Sequence, residues 1–313
     1  MQLSKRRVSK GSAGLGRAGL GSVRVGRALV AAAASALVLS ACGQGTGGGS
    51  EVEVVENPDF PQGSKMAEYA EAGEITIGVK YDQPGIGFQE PGAEEPIGFD
   101  IEMGKYVAGQ LGIAPENITW QETVSDNREP FLQNGRVDIV LASYSITDER
   151  RALVGQAGPY YVTGQQLLVR EEDKDKITSP EDLKGIRVCS VTGSTSLENV
   201  VTEYDADPVP FDTYSACVRQ LQNNTVDAVT TDGAILLGYA AQDPDNLEVV
   251  AEPFSEERYG IGYFPPDDTD MCQFLNDTIQ QSYQDGYWQA AFERTLGQSG
   301  VETPEPPEVD PCP

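Results

Sequence analysis

From Glu74 onward the chain alternates between short apolar, β-branched runs and segments whose apolar residues recur at helical spacing. "EITIGV" (Glu74–Val79) reads as a covered strand, and the Gly- and Pro-rich loop "KYDQPGIGFQEPGAEEP" follows it. In "IGFDIEMGKYVAGQLG", Ile101, Val107 and Leu111 form one buried helical stripe, and Asp100 and Glu102 suit the positive end of that helix. Strand "ITWQET", helix "REPFLQNG" and strand "VDIVLA" continue a βαβ order that predicts a parallel sheet. After "YYVTGQQLLVR" a second alternation begins. It runs through helix "SPEDLKG", strand "IRVCSV", the turn and helix "TGSTSLENVVTEY", strand "PVPF", helix "TYSACVRQLQNN", strand "VDAVTTD", helix "GAILLGYAAQ" and strand "LEVVA". "RYGIGYF" and one long helical region, Thr269 to Gly297, return the chain. Two α/β lobes with crossing connections follow from this order.

Two of these segments echo each other. "LQNGRVDIVLAS" (Leu132–Ser143) and "LQNNTVDAVTTD" (Leu221–Asp232) align without a gap. Each ends a helix at a residue tolerant of left-handed backbone, Gly135 or Asn224, and then enters a strand through "VD". Open α/β sheets bind ligands at the carboxyl ends of their strands, so the echo sets Ser143 and Asp232 at equivalent lips facing across a cleft.

The groups expected there suit a zwitterion. The first strand empties into "LASYSITDERR", with Ser143, Ser145 and Arg150, whose planar charged fork matches a carboxylate. Ser194 and Thr195 open a helix whose free amides attract an anion, and Asp232 suits an ammonium. Each residue also has an ordinary role open to it. Arg150 could pair with Asp148 or Glu149, Thr147 could cap "DERRALV", Ser194 and Thr195 could cap their helix, and Asp232 could cap "GAILLGYAA".

Charge and composition bound the setting. Residues 1–41 carry seven basic residues and no acidic one, then an apolar stretch too short for a permanent membrane span, ending in "LSAC" and "GQGTGGGS". This resembles a bacterial lipoprotein signal cleaved before Cys42, whose thiol would carry two acyl chains. The chain beyond residue 41 has 15 basic and 49 acidic side chains, a net charge of −34, which repels nucleic acid. There is no His in 313 residues, which excludes His-dependent triads and disfavours a zinc site. Four further cysteines in an exported chain imply two disulfides. Three pairings are open. Cys189–Cys217 with Cys272–Cys312 is favoured because each pair closes a local unit, the second pinning the Pro-rich tail.

The motifs "GFDIEMGKYVAGQLG", "VDIVLASYSITDERR", "GPYYVTGQQLLV", "DLKGIRVCSVTGSTSLENV" and "VDAVTTDGAIL", in this order between Glu74 and Gly297, resemble the extracellular solute-binding proteins of family 3. The resemblance implies a type II periplasmic-binding-protein-like α/β fold, two lobes around a ligand cleft. It implies that Ser143, Ser145, Arg150, Thr195 and Asp232 hold the α-carboxylate and α-ammonium of an amino acid. Ala142 stands where relatives have a further Ser, and Ser194–Thr195 where many have two Thr. Lys80 stands where relatives that take basic amino acids commonly have an acid, and in this the chain resembles the glutamate-binding type. A buried Lys suits a second carboxylate, because without one its pKa falls. Arg128 would add positive potential or serve as an ordinary helix-surface charge. Tyr81 and Phe88 would pack in the core or on the ligand's methylenes.

The expected organisation is a signal peptide at 1–41, a flexible linker at 42–70, one lobe from 71–167 and 255–300, a second at 168–254, and a pinned tail at 301–313. The expected function is capture of a polar or acidic L-amino acid, glutamate first, then aspartate, glutamine and asparagine. A monomer on the outer face of the cell membrane would deliver it to an ABC permease, without cofactor, metal or catalysis. A sensory receptor would share this site. An enzyme resembling cyclohexadienyl dehydratase would need a tuned acid or base, for which Asp82 and Glu90 are the candidates.

Overall fold

The computed structural model describes residues 52–312. In chain order the elements are α1 (Lys65–Ala72), β1 (Ile75–Val79), the ribbon β2 (Asp82–Gln83) and β3 (Gly87–Phe88), α2 (Phe99–Gln110), β4 (Ile118–Glu122), α3 (Arg128–Gln133), β5 (Ile139–Val140), α4 (Asp148–Arg151), β6 (Gly155–Thr163) and β7 (Gln165–Arg170). There follow β8 (Arg187–Val191), α5 (Thr195–Thr202), β9 (Asp207–Phe211), α6 (Tyr214–Gln222), β10 (Ala228–Asp232), α7 (Gly233–Gln242), β11 (Leu247–Val250), β12 (Glu257–Tyr263), α8 (Thr269–Gln284) and α9 (Tyr287–Arg294).

Among the described residues these strands form two five-stranded sheets, β4-β1-β5-β12-β6 and β11-β7-β10-β8-β9. The sheets are mixed rather than wholly parallel. In the first, β1 runs parallel to β4 and β5, and β12 antiparallel to β5 and β6. In the second, β8 is parallel to β9 and β10, and β7 antiparallel to β10 and β11. The reason lies in the connections. Gly164 alone separates β6 from β7, and a parallel partner in the same sheet would need a crossover of a dozen residues. The chain therefore passes straight into the other sheet, so Gln165–Leu167 belong to the second sheet. It returns alongside: the Phe254 amide donates to the Gln165 carbonyl, and the Gln165 amide to Ser255 Oγ at 3.1 Å.

Three local expectations change. "SPEDLKG" forms one 3₁₀ turn, Pro180–Leu183, in which Ser179 and Asp182 cap each other reciprocally. The helical return breaks into α8 and α9 at Gly286, whose φ of 78° is left-handed. Residues 52–70, expected within a flexible linker, pack on the fold. Ser64 caps α1, and the Val55 amide donates to the Gly109 carbonyl at the end of α2. The signal peptide and Cys42 lie outside the described residues.

The echoed segments keep their shared geometry. Gly135 and Asn224 both take positive φ, 63° and 58°, ending α3 and α6 before β5 and β10. Beneath the first sheet Phe99 sits among Tyr160, Tyr161, Trp288 and Phe292, with ring centroids 5.7–6.1 Å away. Cys189 is bonded to Cys217, joining β8 to α6, and Cys272 to Cys312, joining α8 to the tail.

Candidate functional site

Where β5 ends, the chain turns sharply. Ser143 has φ 43°, a left-handed conformation costly for a residue with a Cβ. A buried carboxylate holds the turn: Asp100 Oδ2 accepts the Ser143 amide at 2.8 Å, and Oδ1 accepts the Tyr160 hydroxyl at 2.7 Å. Asp100 thus does more than complement the start of α2; it ties that helix to the turn. Burial pushes its carboxyl up to about 6, against those two hydrogen bonds.

The turn directs the carbonyls of Ala142 and Ser143 at Arg128 Nη1, each at 3.3 Å. Arg128 is buried, lies over the Tyr144 ring at 4.4 Å, and sends Nη2 across to the Gly193 carbonyl at 3.0 Å. Arg150 Nη2 donates to the same carbonyl at 3.0 Å, while its Nη1 donates to the Ser145 carbonyl at 2.7 Å. Its carboxylate neighbour is Glu129, at 3.5 Å, rather than Asp148 or Glu149. Thr147 Oγ1 accepts the Arg150 amide, so it does cap α4. Lys80 is 3 % exposed and donates to Ser125 Oγ at 2.8 Å. Burial, reinforced by the charge of Arg128, lowers its ammonium to about 7.

The second sheet supplies the opposing groups. Ser194 caps α5 by accepting the Leu197 amide at 3.1 Å, and Thr195 Oγ1 donates to Glu257 Oε2 at 2.9 Å. Glu257 Oε2 also accepts Ser145 Oγ at 2.5 Å, so this buried carboxylate joins hydroxyls from both sides. Asp232 makes no cap for α7. It accepts the hydroxyl of Tyr259, and burial, with the nearby Glu257, pushes its carboxyl up to about 7.

These groups close around a cavity of only about 10 Å³, room for a single water, whose lining includes Arg128, Ser143, Ser145, Arg150, Ser194, Thr195 and Asp232, each singled out in the sequence. Ser125 and Tyr214 line it as well, and Lys80 reaches it through Ser125. Tyr81 instead donates to the Trp120 carbonyl, and Phe88 bridges to Ile97. Asp82 accepts the Ser215 amide at 3.1 Å and Glu90 is exposed; neither lines the cavity. Glu257, Tyr259, Asp100 and Ser125 were not anticipated. The clue for Glu257 was an acid at the head of the apolar run "RYGIGYF", where it must enter the sheet.

Residues 75–298 match the bacterial extracellular solute-binding proteins, family 3, across both sheets and every cavity residue named above. The chain belongs to this family. It is 39 % identical to the glutamate-binding protein GluB of Corynebacterium efficiens over 284 residues, 86 % of this chain and 89 % of the relative. It is 36 % identical to a glutamine-binding protein of Geobacillus stearothermophilus over 208 residues, 66 % of this chain and 78 % of that one. Among solved structures, an ancestral amino acid-binding protein described as a precursor of cyclohexadienyl dehydratase superposes with a TM-score of 0.68 at 28 % identity, covering 74 % of this chain and all of that one. These curated relatives are binding proteins, and the fold is the two-lobed α/β arrangement of family 3.

Proposed function

We propose that this family 3 protein captures an acidic L-amino acid, glutamate first, and presents it to an ABC permease as a lipoprotein anchored through Cys42 on the outer face of the membrane. The observation carrying the reading is the charge arrangement around one cavity. Arg150, Ser145 and the start of α5 suit an α-carboxylate, and Asp232 suits an α-ammonium. Arg128, a buried cation, and Lys80, a buried amine that a nearby carboxylate would protonate, remain beyond what a zwitterion's backbone needs. A second carboxylate on the ligand would offset them, whereas an arginine or lysine side chain would add repulsion. The relative named for glutamate supports the same choice. Because the groups come from both lobes, ligand binding would favour the closed cleft.

The pairing of the lining's one carboxylate among the described residues with a hydroxyl of the protein supports capture without conversion. Asp232 is that carboxylate, and it is engaged by Tyr259. The test is calorimetry of the mature chain with glutamate, aspartate, glutamine and arginine, followed by NMR of the recovered ligand. The expected outcome is glutamate binding at micromolar or lower Kd, an unchanged ligand, and loss of all binding in Arg150→Ala. Silence with every amino acid would overturn the reading, and a converted ligand would make the protein an enzyme.

A further inference from the structure

The tail beyond Gly300 ends against the back of the site. We propose that it forms part of the binding apparatus, with Asp310 as a positioning residue for Arg150. α4 is four residues long, a single turn that cannot hold its own orientation. Its last residue, Arg151, donates through Nη2 to Asp310 Oδ2 at 2.8 Å. The other oxygen, Oδ1, accepts Arg258 Nη2 at 2.6 Å. Arg258 stands between Glu257 and Tyr259, the two β12 residues that reach the cavity groups. One carboxylate thus grips the chain neighbours of three site residues.

A continuous path leads inward from it. Arg151 Nη2 also donates to the Gln156 carbonyl at 3.3 Å. The Gln156 side chain donates to the Ser145 carbonyl and accepts the Thr147 amide, both at 3.2 Å. The Ser145 carbonyl is the acceptor of Arg150 Nη1.

Surface ion pairs usually contribute little, because ordering two flexible side chains offsets their attraction. Here the acid is ordered beforehand. The Asp310 amide donates to the Gly158 carbonyl at 2.7 Å, and its own carbonyl accepts Asn276 Nδ2 at 2.8 Å. Two residues on, Cys312 is bonded to Cys272 of α8. A preordered acceptor shared by two guanidiniums constrains both elements at small entropic cost.

The assignment rests on Arg150 being a ligand contact, so its test has one arm with ligand and one without. With ligand, Asp310→Asn in the full mature chain should weaken glutamate about tenfold, Asp310→Glu should recover part of the loss, and Asp310→Asn should cost nothing further in an Arg150→Lys background. Unchanged affinity, or losses that add fully, would overturn the proposal. Without ligand, hydrogen exchange at residues 151–154 should accelerate in Asp310→Asn while α2 and α7 stay unchanged. Should wild type bind no amino acid, faster local exchange upholds the clamp although the ligand reading has failed, and unchanged exchange sinks the clamp. Arg151→Gln removes one arm only and gives the same readout if Asp310→Asn folds poorly.

Discussion

The hydroxyl of Tyr259, in the first sheet, donates to the carboxylate of Asp232, in the second. This bond crosses the cleft and engages the carboxylate proposed above for a ligand's ammonium. The Asp232 carboxyl, pushed up to about 7, is protonated far more readily than an exposed aspartate.

Ligand binding should therefore release a proton. Asp232 must ionise to hold an ammonium, so glutamate affinity falls as pH drops from 8 to 5. Calorimetry near pH 6, in buffers of different ionisation enthalpy, should show proton release. The stability effect has the opposite direction. The folded-state value exceeds the unfolded one, so the folded chain binds more protons between about 3.8 and about 7, and ligand-free stability declines as pH rises through that window. Asp232→Asn removes this penalty, raising ligand-free stability at pH 8 by up to about 4 kcal/mol while binding is lost. A lower Tm for Asp232→Asn at pH 8 would refute it.

Lys80 should behave as the mirror image. Its ammonium is lowered to about 7 by burial and by Arg128. The unfolded chain then binds more protons between about 7 and 10.5, so ligand-free stability falls as pH decreases through that range. A ligand's second carboxylate would restore the charge, giving proton uptake near pH 8 for glutamate and none for glutamine. Lys80→Met should weaken glutamate at least about tenfold more than glutamine, and should flatten the alkaline slope of Tm. Equal losses for both ligands would remove Lys80 from selectivity.

The Cys189–Cys217 bond joins the strand leading to Ser194 and Thr195 to the helix that begins at cavity-lining Tyr214. Its sequence separation of 28 corresponds to about 3–4 kcal/mol from the constrained unfolded chain. Replacing both residues by Ala should cost about that much in denaturant unfolding, yet change glutamate affinity less than about threefold, because the backbone of β8 stays paired with β9 and β10. A large affinity loss at preserved stability would mean the bond shapes the site itself.

Much of this site was legible because its parts obey local rules. Gly135 and Asn224 announce matched helix ends, "VD" announces matched strands, and strand ends in open sheets bind ligands, so these local patterns alone set Ser143 and Asp232 opposite each other. Asp100 and Glu257 were not legible in this way. Each is an acid at the start of an apolar element, a place where surface charge is ordinary, and their roles depend on partners 43 and 112 positions away in the chain. The mixed sheets escaped for a similar reason. Alternating β and α segments suggest parallel strands, and only the one-residue step at Gly164 betrays the crossing. Asp310 gave least warning, in a Pro-rich acidic tail whose anchoring depends on which cysteine Cys312 meets.

Gly193 offers a test of closure that leaves every charged group intact. Its φ is 76°, and a Cβ there would lie 2.9 Å from Asp126 Cα and 3.0 Å from its nitrogen. The obstruction is backbone on the opposite lobe, so no side chain can swing aside to relieve it. Gly193→Ala must therefore open the gap by a few tenths of an ångström or distort the turn whose carbonyl receives Arg128 and Arg150. An opened gap weakens bonds that span the cleft, while each lobe's own core stays intact. Glutamate affinity should fall at least about thirtyfold, mostly through faster dissociation, with ligand-free Tm falling by only the cost of one strained residue. Stopped-flow fluorescence would report the dissociation rate. Wild-type affinity in Gly193→Ala would mean that the lobes need not meet at this point when ligand is bound.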